Sequence, residues 1–251
     1  MFTKKTKIFL LLIAMLSVIT LTACGGGSGG GSSDSGSGDG GGGATTVTDI
    51  DGNVYNTVTI GTQEWMKENL KVTKYRNGDA IPTTTSSIPN DSTSKYQWAY
   101  NNDESNVPVY GRLYTWYAVM DNSNSRGGVC PTGWHVPTDP EWTTLTTYLG
   151  GEDVAGGKMK EAGTAHWSSS STSDDNSSGF TALPGGFRYG NGAFSNISLS
   201  GFWWSATEIN AALAWSRHLF YSNTNASRSH NSKYDGFSVR CVRDLLAKIP
   251  V

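Results

Sequence analysis

The chain is poor in the residues that most catalytic and metal sites are built from. It has four histidines, His135, His166, His218 and His230, and no pair stands in His-x-x-x-His or His-Glu-x-x-His spacing, so no zinc pattern is present. No serine sits in a strand-to-helix Gly-x-Ser-x-Gly elbow or has a recognisable base partner, which removes the commonest hydrolase signature. Apart from three N-terminal lysines there is no basic cluster, so a nucleic-acid surface is not expected. No repeat of 20–50 residues is visible, which sets aside solenoids and propellers. The longest apolar run, Ile8 to Thr20, is too short for a stable transmembrane helix.

That run has another use. Lys4, Lys5 and Lys7 precede it as a positive n-region, and Leu21-Thr22-Ala23-Cys24 closes it. The four residues resemble a bacterial lipobox, at which the leader is cut and the cysteine becomes a diacylated first residue. Residues 1–23 are therefore expected to be a lipoprotein signal peptide, and Cys24 the lipidation site and the link to a membrane. Gly25 offers no inner-membrane retention aspartate, so the outer membrane or cell surface is the expected address. Removal of the leader leaves 16 basic against 21 acidic residues, a net charge of about −5. Residues 24–45 are a Gly/Ser tether after the lipidated cysteine, with a reach of roughly 25 Å if it behaves as a coil. Cys130 and Cys241 remain in an oxidising compartment, where two cysteines permit one pairing; two free thiols are the alternative.

Residues 46–244 read as one folded domain, followed by a short tail at 245–251. Two alternating runs, Val47–Ile50 and Val54–Ile60, flank Asp51-Gly52-Asn53, a hairpin signal that outweighs a calcium-loop reading. Glu64 to Leu70 should extend this element toward Tyr75. Gly111 to Met120 is apolar enough to be a buried helix. Thr138-Asp139-Pro140-Glu141 is a capping box leading into Trp142, Leu145, Tyr148 and Leu149 at helical spacing, ended by Gly150-Gly151. Gly157 to Glu161 is expected to add a short second helix, and Ser168 to Ser178 is loop. The last third is β: Phe187-Arg188-Tyr189 turns at Gly190-Asn191-Gly192, then come strands at Gly201–Thr207, Ala214–Tyr221 and Phe237–Arg243. Strands at both ends with helices between predict an α+β domain.

The motifs Tyr110-Gly111-Arg112-Leu113-Tyr114, Val129 to Thr138, Gly185-Gly186-Phe187-Arg188, Phe202 to Thr207 and Ser238 to Arg243 together resemble the Fibrobacter succinogenes major paralogous domain. Gly61-Thr62-Gln63-Glu64-Trp65-Met66 also fits, so the resemblance covers roughly residues 46–244. It implies a bacterial surface-lipoprotein module with a C-type-lectin-like fold, also similar to the formylglycine-generating enzyme: mixed antiparallel sheets, one or two helices, long loops and one disulfide. Such folds place N- and C-terminal strands side by side, and a Cys130–Cys241 bridge suits that closure. The calcium-binding lectin triplets are missing, Ile88-Pro89-Asn90 being a poor approach to one, and the copper-binding cysteines of the enzyme have no counterpart beyond the pair assigned to the bridge. No cofactor, metal site or catalytic residue is implied.

His135 reads as a structural histidine, Glu141 as a cap, and Asp174-Asp175-Asn176 as a solvated loop with a calcium cluster as the rival reading. Trp203 and Trp204, adjacent in a strand, must point to opposite faces; either the strand lies between two packed layers or one ring is exposed for a ligand. The ligand face is expected in the segments after Tyr189, with Trp204, Trp215, His218, Tyr234 and Asn191 as contacts. Fixed aromatic motifs there alternate with small polar runs, a texture resembling the variable regions of retroelement-diversified lectin folds. The expected role is a lipid-anchored binding or adhesion module for glycan or protein ligands. An extracellular enzyme and a purely structural envelope protein are the competing classes.

Overall fold

Asp49 nucleates the first turn. Its carboxylate accepts the backbone N–H groups of Asp51 and Asn53, both at 2.9 Å, and the Tyr55 hydroxyl at 2.6 Å, so its oxygens serve the turn and not an ion. The turn joins β1 (Thr46–Thr48) to β2 (Val54–Ile60), and Gly61, at φ 64°, turns β2 into β3 (Gln63–Met66). These strands come from a computed structural model that describes residues 45–89, 93–121, 127–169 and 174–245. The leader, Cys24 and the Gly/Ser tether lie outside the described residues.

The chain continues through β4 (Gln97–Trp98), two 3-10 turns at Tyr100–Asn102 and Glu104–Asn106, α1 (Val107–Tyr110), β5 (Leu113–Tyr114) and α2 (Trp116–Val119). Then come α3 (Asp139–Tyr148), α4 (Glu152–Met159), β6 (Gly185–Arg188), β7 (Phe194–Ile197), β8 (Ser200–Glu208), β9 (Leu213–Phe220), β10 (Ser227–Ser232) and β11 (Val242–Asp244). The first sheet has the order β1-β2-β3-β11, the second β10-β9-β8-β6-β7, and β4 pairs with β5. Every strand pair is antiparallel except β6 with β8. The fold is α+β with mixed sheets, and its C-terminal strand lies beside an N-terminal one, as the resemblance implies.

Several boundaries differ from the sequence expectation. The stretch expected as one helix from Gly111 divides into β5 and the single turn α2, because the Thr115 hydroxyl accepts the Ala118 N–H and starts a new helix there. β3 stops at Met66 rather than running toward Tyr75; beyond it the chain stays beside the same C-terminal segment through a bond of the Leu70 N–H to the Val239 carbonyl, without continuous strand pairing. The second helix begins earlier than expected, at Glu152. β10, a polar segment read as loop, is a full strand on β9.

The α3 cap is as expected. Thr138 Oγ1 accepts the Glu141 N–H at 3.3 Å, and Glu141 Oε2 accepts the Thr138 N–H at 2.7 Å. Glu141 Oε1 lies 2.5 Å from His135 Nε2, so the histidine braces the cap. Its pKa is raised chiefly by that bond.

Two cores meet at β8. Trp204 packs with Tyr114, Phe187, Phe202 and Phe237 in one, while Trp203 joins Trp65, Trp142, Phe180 and Leu219 in the other. Both rings are fully buried, so the strand is sandwiched, and the two-layer reading holds. Cys130 and Cys241 are disulfide-bonded, with Cα atoms 6.0 Å apart, and the neighbouring His135 and Val242 exchange backbone bonds of 2.9 Å. The bridge thereby locks the approach to α3 onto the last strand.

Buried cations fill gaps between these layers. Arg240 is inside, its guanidinium 4.1 Å from the Phe180 ring centre and bonded to Asn69 Oδ1 at 3.0 Å, and burial lowers its pKa to about 9. Lys160 Nζ meets Asp174 at 2.9 Å and the carbonyls of Phe220 and Asn223 at 3.1 and 2.7 Å. Asp174, one of the suggested calcium ligands, is thus an ion-pair partner.

Candidate ligand-binding face

β9 alternates its side chains strictly across the second sheet. Leu213, Trp215, Arg217 and Leu219 point one way, and Ala214, Ser216, His218 and Phe220 the other. β10 continues both faces, because Ser227 pairs with His218, Ser229 with Ser216, and Asn231 with Ala214. The side of His218 therefore carries a row of small polar residues at the edge of the sheet. Ser216 and Asn231 are already joined by a 2.8 Å hydrogen bond.

On the same face runs a chain of rings across β6, β8 and β9. Tyr189 meets Phe187 with centroids 4.6 Å apart, Phe187 meets Phe202 at 4.8 Å, Phe202 meets His218 at 5.4 Å, and His218 meets Phe220 at 5.0 Å. Inward, the chain merges with the Trp204 core; outward, Tyr189 is exposed and His218 and Phe220 are half-exposed. Burial and the nearby Arg217 charge lower the His218 pKa, which keeps the imidazole neutral near pH 7. Its Nδ1 has no hydrogen-bond partner among the described residues. Phe187 and Phe202 are buried, and the rings of Tyr189, His218 and Phe220 that they support reach the surface beside hydroxyls and an amide, where they can stack on and hydrogen-bond to a polar ligand.

The opposite face is a cation–aromatic cluster. Arg228 lies over the Trp215 ring at 3.3 Å from its centre, and His230 meets the same ring edge-on at 5.9 Å. Asp139 holds Arg228 with bonds of 3.0 and 2.8 Å and accepts from the buried Arg217 at 2.7 Å. One face of the Trp215 ring is therefore covered by protein.

The five expected contacts do not converge. Trp204 is corrected to a core residue: it is stacked on Phe237 at 4.4 Å and its indole N–H donates to the Tyr114 carbonyl. Tyr234 is also buried, in a third cluster with Trp98 and Leu113. Trp215 and His218, three apart in β9, fall on opposite faces of the sheet. Asn191 is exposed in the turn between β6 and β7, where Asp235 Oδ1 accepts the Gly190 N–H at 2.9 Å. Of the five, His218 belongs to the ring chain. Phe187, Phe202, Phe220 and the β10 serines were not foreseen as a site; the alternation of small and large residues in Ser227-Arg228-Ser229-His230-Asn231-Ser232 was the available signal.

The family model for the Fibrobacter succinogenes major domain matches residues 58–243. The chain belongs to this family. Comparison with curated proteins and with solved structures gave no match. The Fibrobacter succinogenes major domain here takes in the chain from within β2 to within β11, and so the disulfide, the ring chain and both cores apart from Tyr55 and Val47. Among the described residues of the domain, no three His, Cys, Asp or Glu side chains group as a metal site, and no helix is long and apolar enough to cross a membrane.

Proposed function

We propose that the protein is a lipid-anchored envelope module that binds an extracellular ligand, a glycan in the first instance, through the ring chain from Tyr189 to Phe220. The observation that carries this reading is the continuity of five aromatic side chains alongside the polar row of Ser216, Ser227, Ser229 and Asn231. Sugars present apolar C–H faces and hydroxyl edges, and the strip offers both complements. Family membership and the lectin-like juxtaposition of β3 with β11 support a binding scaffold. The lipobox supports tethering through Cys24 at the outer membrane or cell surface.

The test is a glycan array probed with the full chain carrying Cys24→Ser, in calcium and in chelator. Binding to one polysaccharide class that falls at least tenfold in His218→Ala or Phe220→Ala supports the reading. A blank array, or binding indifferent to both variants, would transfer the search to protein partners or to another surface.

A further inference from the structure

A second pocket is built by elements that the ring chain does not use. It is a cleft of about 420 Å³ lined by Thr83, Thr84, Thr85, Gln97, Asn102 and Glu104, with Arg112 at its base. The Arg112 side chain is nine-tenths buried. Its Nε donates to the Lys71 carbonyl at 3.1 Å and one Nη to Gln97 Oε1 at 3.0 Å, so the fork is fixed in direction. The remaining contacts go to Glu104, at 3.0 and 2.5 Å, a bidentate pair. Glu104 itself is 69% exposed and stands on a three-residue 3-10 turn. The buried cation thus has, as its carboxylate, a side chain that stands mostly in water.

We infer that this pocket is a recognition site for a carboxylate-bearing sugar, a uronic acid unit, and that Glu104 occupies the place of the ligand's carboxylate when the site is empty of it. The planar two-oxygen contact that Glu104 makes is the one a uronate would make. With Glu104 turned away the guanidinium keeps the Lys71 carbonyl and Gln97 Oε1 but lacks a carboxylate, so an incoming anion of the same shape would restore the charge pair. The rest of the lining chooses the class of ligand. Beside the Arg112–Glu104 pair it has three threonines and two amides, which match a molecule with a single carboxylate among many hydroxyls. A peptide carboxylate would need an apolar socket for its last side chain, and Ala99 is the one apolar lining residue. The threonine wall is held in place by the Trp98 indole, whose N–H donates to the Thr84 carbonyl at 2.6 Å.

Isothermal titration of the full chain carrying Cys24→Ser with oligogalacturonate, and with a neutral xylo-oligosaccharide as control, tests the inference. Oligogalacturonate should bind and the neutral sugar should not, with binding weakening as salt rises. Glu104→Gln removes the competitor and should tighten binding by up to about fivefold, the advantage an exposed ion pair can contribute. Thr85→Asp, at an exposed position that leaves the buried network untouched, should weaken it by about tenfold, and Arg112→Lys likewise, because an ammonium lacks the fork. His218→Ala should change none of this, which separates the pocket from the ring chain. No oligogalacturonate binding by wild type and Glu104→Gln alike, or equal affinity in Glu104→Gln and Thr85→Asp, would overturn the assignment. So would a free dipeptide carboxylate binding more tightly than the uronate.

Discussion

Trp203 and Trp204 are neighbours in sequence and belong to different cores. The Trp203 indole N–H donates to Asn69 Oδ1 at 2.8 Å, and the Trp204 indole N–H donates to the Tyr114 carbonyl at 2.7 Å, on the other side of β8. The strand therefore joins the two hydrophobic layers through one pair of side chains.

Truncating either ring should be severe. Trp203→Ala and Trp204→Ala are each expected to lose about 3–5 kcal/mol of stability, the range for a buried large aromatic. Trp215→Ala, on the same sheet but half-exposed, should lose clearly less. Urea denaturation of the three variants measures the contrast, and a Trp215 loss equal to the other two would contradict the layer assignment.

Asp139 compensates two arginines, one of them buried. Asp139→Asn should cost about 3 kcal/mol, because it leaves the buried Arg217 guanidinium with only the half-exposed Glu152 carboxylate, 4.0 Å away. It should also release Arg228 from the Trp215 ring, visible as greater acrylamide quenching of tryptophan fluorescence. Arg228→Ala should reproduce the quenching with a much smaller loss of stability, since Arg228 is itself largely at the surface.

Asp235 and Asp139 give the pH profile opposite slopes. Burial raises the Asp235 carboxyl to about 6, so the native state binds a proton more readily than the unfolded chain between about pH 4 and 6. Stability should rise on acidification through that window, by on the order of 1–3 kcal/mol from this group. Burial also pushes the Asp139 carboxyl up, but the bonds from Arg228 and Arg217 more than reverse it, so its contribution is lost as pH falls below 3.8. Thermal melts across pH 3–8 should show the gain from about 6 toward 4 vanish in Asp235→Asn while the acid limb remains.

Reducing the Cys130–Cys241 bridge should lower stability by about 4–5 kcal/mol on the chain-entropy account, given the separation of 111 residues. Guanidinium midpoints with and without a thiol reductant check this. An unchanged midpoint would mean that backbone pairing of His135 with Val242 suffices to hold the closure.

What could be read from the sequence was local or periodic. The Thr138–Glu141 box, the Asp51-Gly52 turn and the opposed tryptophans of β8 follow from spacing alone, and each is found. β10 escaped notice because an edge strand with half-exposed serines has no apolar alternation to reveal it. The ring chain is half legible: His218 stands out in the sequence, but its neighbours come from β6 and β8, and only pairing across the sheet reveals that they touch. Trp204 was misassigned because an aromatic residue reads the same whether its partner is a ligand or Phe237. The burial of Arg112, Lys160 and Arg240 has no signal in the sequence: Arg240 and Lys160 are held mainly by backbone carbonyls and by residues far along the chain, and Arg112 by Gln97 and Glu104 from irregular or very short elements with no periodicity.

The position of β1 bears on how the fold takes mechanical load. A pull on the chain from ahead of Thr45 enters through three residues at a sheet edge, which peel from β2 one pair at a time. Peeling ends at the Asp49 turn, because β2 is held by β3, and β3 by β11, which the disulfide fastens to the approach to α3. A load applied ahead of Thr45 is therefore expected to open the β1–β2 pairing before it reaches that of β2 with β3.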